Sequence, residues 1–164
     1  MSFNFDELLQ QGKGAAENVL KNKREIKEVL TDLENSLSQF LETPIKLNEY
    51  IGYVKQDNDP FRRITSSFIP REKTGYNEVH IVSKEVELSK EVFQLKRSDD
   101  VYPITIVRER NHSVADDQSE FAAAIGQIAS NSQFHLQLNS FKRQVEEKIK
   151  EKLKEKPQDV PKSE

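Results

Sequence analysis

The stretch NEVHIVSKEVELSKEVFQLKRSDDVYPITIVRER, residues 77–110, decides the fold class. Val, Ile, Phe and Tyr recur in it as short runs separated by polar turn residues, a pattern typical of β-strands. Arg97-Ser98-Asp99-Asp100 marks one such turn. Because a parallel crossover needs a dozen or more residues, these short connections predict antiparallel pairing.

The strand pattern extends on both sides of this stretch, over residues 45–116. The predicted strands are residues 45–55, 61–69, 77–83, 85–96 and 101–110. Apolar residues occupy both alternating faces of the last strand, which predicts an interior strand covered on both faces. In residues 85–96 the alternation shifts near Ser89 and Lys90, which predicts a β-bulge there.

Helical periodicity precedes the strands. Residues 3–11 predict a short helix, which we expect Gly12-Lys13-Gly14 to end. A long helix is predicted from about residue 15 to residue 42, and Thr43-Pro44 stops it because proline disfavours helical backbone in the preceding residue.

Helical periodicity returns after the strands. Asp117 and Glu120 have the spacing of a capping box, which predicts a helix over residues 121–130, and a second helix follows to about residue 156. We therefore predict a single α+β domain, helical over 1–44 and 117–156, with four to five antiparallel strands over 45–116. Helices from both ends are expected to pack on one face of the sheet, and residues 157–164 are expected to be a disordered tail.

The long helix carries two interleaved apolar rows whose steps alternate between four and three residues, as in a coiled coil. The residues of this seam are Ile26, Leu30, Leu33, Leu37 and Phe40. We expect it to bind a protein partner or, in a homodimer, a second copy of the chain. The alternative is that the C-terminal helix covers the seam within one chain.

The composition excludes several kinds of chemistry. The chain has no cysteine, so disulfides, thiolate metal sites and cysteine nucleophiles are absent. Serine-nucleophile and phosphate-loop motifs are also missing, and we predict no catalytic residue, no metal site and no cofactor. Glu78 and His80 share one strand face and form a possible metal or acid–base pair. The sequence supplies no third ligand, so we interpret them as an outward-facing polar pair.

A basic and aromatic stretch is the remaining candidate site. Its possible nucleic-acid contacts are Arg62, Arg63, Arg71, Lys73 and Tyr76. Aromatic rings interleaved with Arg can stack bases and bind phosphates. The net charge of −3 and the neutral balance around this stretch favour a solvated edge strand instead.

The expected function is a non-enzymatic protein-interaction module, such as an adaptor, a chaperone-like protein or an inhibitory subunit. Nucleic-acid binding through the basic stretch is the alternative. No apolar run reaches the length of a membrane span, and residues 1–6 lack the pattern of a signal peptide. We therefore expect a cytoplasmic protein that does not bind a membrane.

Overall fold

The computed structural model describes residues 3–56 and 69–155, which form three helices and five strands. The helices are α1 (Phe5–Leu41), α2 (Gln118–Ala129) and α3 (Ser132–Glu155). The strands are β1 (Ile45–Tyr53), β2 (Lys73–Ser83), β3 (Ser89–Ser98), β4 (Val101–Arg108) and β5 (Asn111–Ala115). This helix–sheet–helix order confirms the predicted α+β class. Two of our predictions, a strand over residues 61–69 and a disordered tail over 157–164, fall wholly or almost wholly outside the described residues.

The sheet is an antiparallel meander in the order β1-β2-β3-β4-β5, so every strand pairs with its neighbour in the chain. Residues on one face are buried. They include Ile45, Ile81, Leu95, Ile104 and Ala115, which the register places on the same side. All three helices contribute side chains to the hydrophobic core formed with this face. We call it the inner face, and the opposite one the outer face.

The interior strand β4 differs from our prediction. Ile104 and Ile106 are buried on the inner face, whereas Pro103 is exposed and Thr105 and Val107 are only half-buried on the outer face. The prediction of a strand covered on both faces is therefore wrong. The helices from both ends of the chain pack on the same side, so none of the helices in residues 3–56 and 69–155 covers the outer face.

The N-terminal helix is continuous from Phe5 to Leu41, so the predicted break at Gly12-Lys13-Gly14 is wrong. Glycine inside an exposed helix costs about 1 kcal/mol relative to alanine, which weakens a helix without ending it. The helix ends where Glu42 takes a left-handed conformation (φ 54°) and its N–H group donates to the Gln39 carbonyl. Thr43-Pro44 follows, as the sequence predicts.

Two features of the sheet lie elsewhere than predicted. The bulge is at Val92, because Val79 pairs with Phe93 while the next residue, His80, pairs with Glu91. It is thus two to three residues later than expected. Strand β5 is absent from our predictions, and it pairs with β4 from Arg108↔Asn111 to Ile104↔Ala115.

Candidate functional site

The first part of α1 extends beyond the packed domain. Every residue from 5 to 18 is exposed, and Val19 is the first residue of α1 that is even half-buried. At 1.5 Å per residue this segment is about 21 Å long. We call residues 5–18 the N-terminal arm.

The arm carries an apolar stripe despite its exposure. The stripe residues, spaced by three or four positions or adjacent, are Phe5, Leu8, Leu9, Gly12, Ala15 and Ala16. The stripe continues into Val19 and Ile26, so it lies on the face of α1 that packs on the sheet farther along. Phe5 is 64% exposed and Leu9 is 70% exposed, values unusual for large apolar side chains on a helix face. The arm is thus an amphipathic helix with an uncovered apolar face.

Most of the seam residues lie in or against the chain's own core, and not on an exposed interface. Ile26 and Leu37 are 1% and 5% exposed in the core. Leu30 and Leu33 are partly buried against it, and Phe40 is 58% exposed with its ring centroid 5.4 Å from that of His135. Helix α1 contacts β1, β4 and α2, which cover the seam within one chain. Four of the five residues therefore contribute to the chain's own core, and only Phe40 is open to a partner.

The basic stretch is only partly described, because Arg62 and Arg63 lie outside the described residues. Lys73 is exposed at the start of β2, and Arg71 places its guanidinium 5.0 Å from the centre of the Tyr53 ring. The Tyr76 ring is approached in the same way by the Lys96 ammonium, at 5.5 Å. The faces of the Tyr53 and Tyr76 rings, on which a base would stack, thus already have cations of this chain against them.

A polar network interrupts the inner face beside α1. Arg97 donates two hydrogen bonds to the Glu49 carboxylate, and Asn77 donates a third over 2.8 Å. Burial alone would raise the pKa of Glu49, but these hydrogen bonds and the Arg97 charge lower it below its ordinary value. Glu49 and Arg97 line a groove of about 530 Å³ between α1 and β1, where the Arg97 charge compensates the Glu49 charge.

Three potential metal ligands meet on the outer face: Glu78, His80 and Glu91, which we call the outer-face cluster. The His80 Nε2 atom lies 3.0 Å from Glu78 Oε2, and one ligand atom of each residue lies within 4.8 Å of the other two. The sequence predicts the pair of Glu78 and His80 but gives no sign that Glu91 joins it. Glu91 lies on the neighbouring strand, and the bulge at Val92 places it directly opposite His80.

Comparison with known proteins gives no relative: no family model matches the chain, and neither the curated proteins nor the solved structures contain a significant match. In the described ranges, none of the helices combines the length and the apolar character needed to cross a membrane.

Proposed function

We propose that this chain is a protein-interaction module that self-associates through its N-terminal arm. The observation that carries the proposal is the exposure of every residue from 5 to 18, although this segment has a regular apolar stripe. Contiguous exposed apolar surface on a folded chain commonly marks an interaction site. We therefore place the interface not at the seam but closer to the N-terminus, on the part of the same helix that the sheet does not cover.

A partner would also stabilise the arm as a helix. Helices shorter than about 12 to 15 residues are marginal in water without tertiary packing. The arm is near this length, includes Gly12 and Gly14, and none of its residues is buried by the described part of the chain. Covering Leu8 and Leu9 would give it the packing that the sheet gives to Ile26 and Leu37.

The occupant we propose is a second copy of the chain, with the two arms antiparallel. The large residues Phe5, Leu8 and Leu9 precede the small residues Gly12, Ala15 and Ala16. An antiparallel copy would bring small residues together at the centre, where helices can approach closely, and place Leu8 and Leu9 near Val19 and Leu20 of the second copy.

The charges of the helix favour the same orientation. Asp6 and Glu7 are acidic and lie in its first turn, whereas Lys23 and Arg24 are basic, exposed and near the far end of the uncovered stripe. Antiparallel arms place the acidic turn of one copy beside the basic pair of the other. Parallel arms would place like charges side by side, which is destabilising.

Sedimentation equilibrium of the full chain at several loading concentrations tests the proposal. We expect a reversible monomer–dimer equilibrium for the wild type and a monomer for Leu9→Asp, because the new carboxylate would be buried in the interface. Leu136→Asp is the matched control, since Leu136 is a 60% exposed leucine on α3, away from the arm. We expect it to dimerise like the wild type.

Two results would overturn the proposal. One is a wild type that stays monomeric at every concentration. The other is a Leu9→Asp variant that dimerises as strongly as Leu136→Asp. Circular dichroism of both variants checks that the fold is retained, which their exposed positions lead us to expect.

A further inference from the structure

We propose that the outer-face cluster, Glu78, His80 and Glu91, binds a divalent transition-metal ion of the Zn²⁺ type. One imidazole nitrogen with two carboxylate oxygens is a donor set that suits such ions. The site is separate from the arm, because it lies on the outer face of β2 and β3, opposite the face on which the helices pack.

The spacing of the ligand atoms fits a single ion. Zinc–nitrogen and zinc–oxygen distances near 2.1 Å in a tetrahedron place ligand atoms about 3.4 Å apart. The His80 Nε2 and Glu78 Oε2 atoms are already 3.0 Å apart. The ligand atom of Glu91 is within 4.8 Å of both, and its side chain is exposed, so a rotation about its own bonds can close the remaining distance.

The His80 ring is held in a suitable orientation. Its Nδ1 atom is 3.0 Å from the Ser89 hydroxyl oxygen, and the Tyr50 ring packs edge-on against it with centroids 5.0 Å apart. A hydroxyl both donates and accepts, so Ser89 can bond Nδ1 in either tautomer and leave the Nε2 lone pair for a metal. Such a partner on the second ring nitrogen is typical of histidine ligands.

The backbone has assembled the three residues before any ion binds. Glu78 and His80 are two positions apart on β2, so their side chains share a face. The bulge at Val92 shifts β3 so that Glu91 pairs with His80. The bulge is itself supported, because Arg108 donates to the Val92 carbonyl over 2.8 Å and Gln137 donates to the Glu91 carbonyl over 2.7 Å. Three protein ligands leave a fourth position for water.

Isothermal titration of the untagged full chain with ZnCl₂ tests the site, and the visible spectrum of added Co²⁺ reports the coordination geometry. We expect saturable binding of one ion, loss of binding in His80→Ala, and an affinity at least about tenfold lower in Glu91→Gln. His112→Ala is the matched control, since His112 is an exposed histidine on β5, and we expect it to bind like the wild type.

The proposal fails if the wild type shows no saturable zinc binding, or if His80→Ala binds zinc as the wild type does. It also fails if Ca²⁺ binds as tightly as Zn²⁺, because that would indicate a site made of carboxylate oxygens alone. Circular dichroism of His80→Ala checks that lost binding is not lost folding, and Glu91→Gln, at an exposed position, keeps the test open if His80→Ala does not fold.

Discussion

Among single residues, Glu49 joins three strands through one carboxylate. It lies on β1 and accepts hydrogen bonds from Asn77 on β2 and Arg97 on β3. Its pKa in the folded chain is lowered, the hydrogen bonds outweighing the effect of burial. A group whose pKa falls on folding stabilises the native state at a pH above its unfolded pKa, near 4.5, and this contribution is lost as the pH falls through the lowered value.

We therefore predict that Glu49→Gln lowers the free energy of unfolding by about 1 kcal/mol near neutral pH. The difference from the wild type should shrink as the pH falls from 4.5 through the lowered pKa of Glu49, because the wild-type carboxylate then becomes protonated as well. Urea denaturation at a series of pH values measures both effects. Glu146→Gln, at an exposed position on α3, is the control, and an equal loss in it would contradict a specific role for Glu49.

For whole elements, the start of α2 shows how a helix is specified locally. The Asp117 carboxylate accepts from the Glu120 N–H group over 2.8 Å, and the Glu120 carboxylate accepts from the Asp116 N–H group over the same distance. The predicted capping box is thus confirmed with one difference. The Glu120 carboxylate accepts from the N–H group of Asp116, and not from that of the cap residue Asp117. Phe121 follows directly and is fully buried, so the cap fixes the point at which α2 enters the core.

Removing this cap should weaken the domain measurably. We predict that Asp117→Ala lowers the free energy of unfolding by about 1 kcal/mol, and that Asp117→Asn retains most of the stability, since asparagine also caps helices well. Chemical denaturation monitored by circular dichroism compares the two variants. Asp99→Ala, in the exposed turn between β3 and β4, should change little, and an effect as large as that of Asp117→Ala would argue against the cap.

The elements that the sequence predicts well are those with local signals. The cap of α2, the end of α1 and most of β1 to β4 are visible in runs of a few residues. Strand β5 has no such signal, because Asn111–Ala115 contains few apolar residues and owes its conformation to pairing with β4. The third member of the outer-face cluster is missed for the same reason: Glu91 reaches His80 only through the pairing of two strands and a bulge.

Over the whole molecule, one apolar stripe on α1 has two environments. From Ile26 to Leu37 the sheet and α2 cover it, whereas over residues 5–18 nothing in the described part of the chain buries it. The heptad spacing of the seam is the same whether a sheet or a second helix covers it, so spacing alone could not locate the exposed part. Which part of α1 is free depends on where the sheet ends.

Shortening the side chains of two leucines on this stripe should therefore change the free energy of unfolding by different amounts. We predict that Leu37→Ala lowers the free energy of unfolding by about 2 to 5 kcal/mol, because it leaves a cavity in the core. Leu9→Ala should change it by less than about 0.5 kcal/mol at protein concentrations where the chain is monomeric. Urea denaturation at low protein concentration measures the loss of unfolding free energy in each variant. Similar losses in both variants would mean that the arm is buried in the monomer.

The order of the elements also has a consequence for synthesis on the ribosome. Helix α1 is made before the five strands, and part of the surface that covers it follows much later: Asn22 of α1 donates to the Asp100 carbonyl, 78 positions later in the chain. The strands, in contrast, pair only with their sequence neighbours, so each hairpin can close soon after it emerges. At translation rates of about 5 to 20 residues per second, a nascent α1 waits on the order of several seconds before β4 and α2 can pack on its apolar stripe. During that interval more of the helix than the arm alone is open to chaperones and to neighbouring nascent chains.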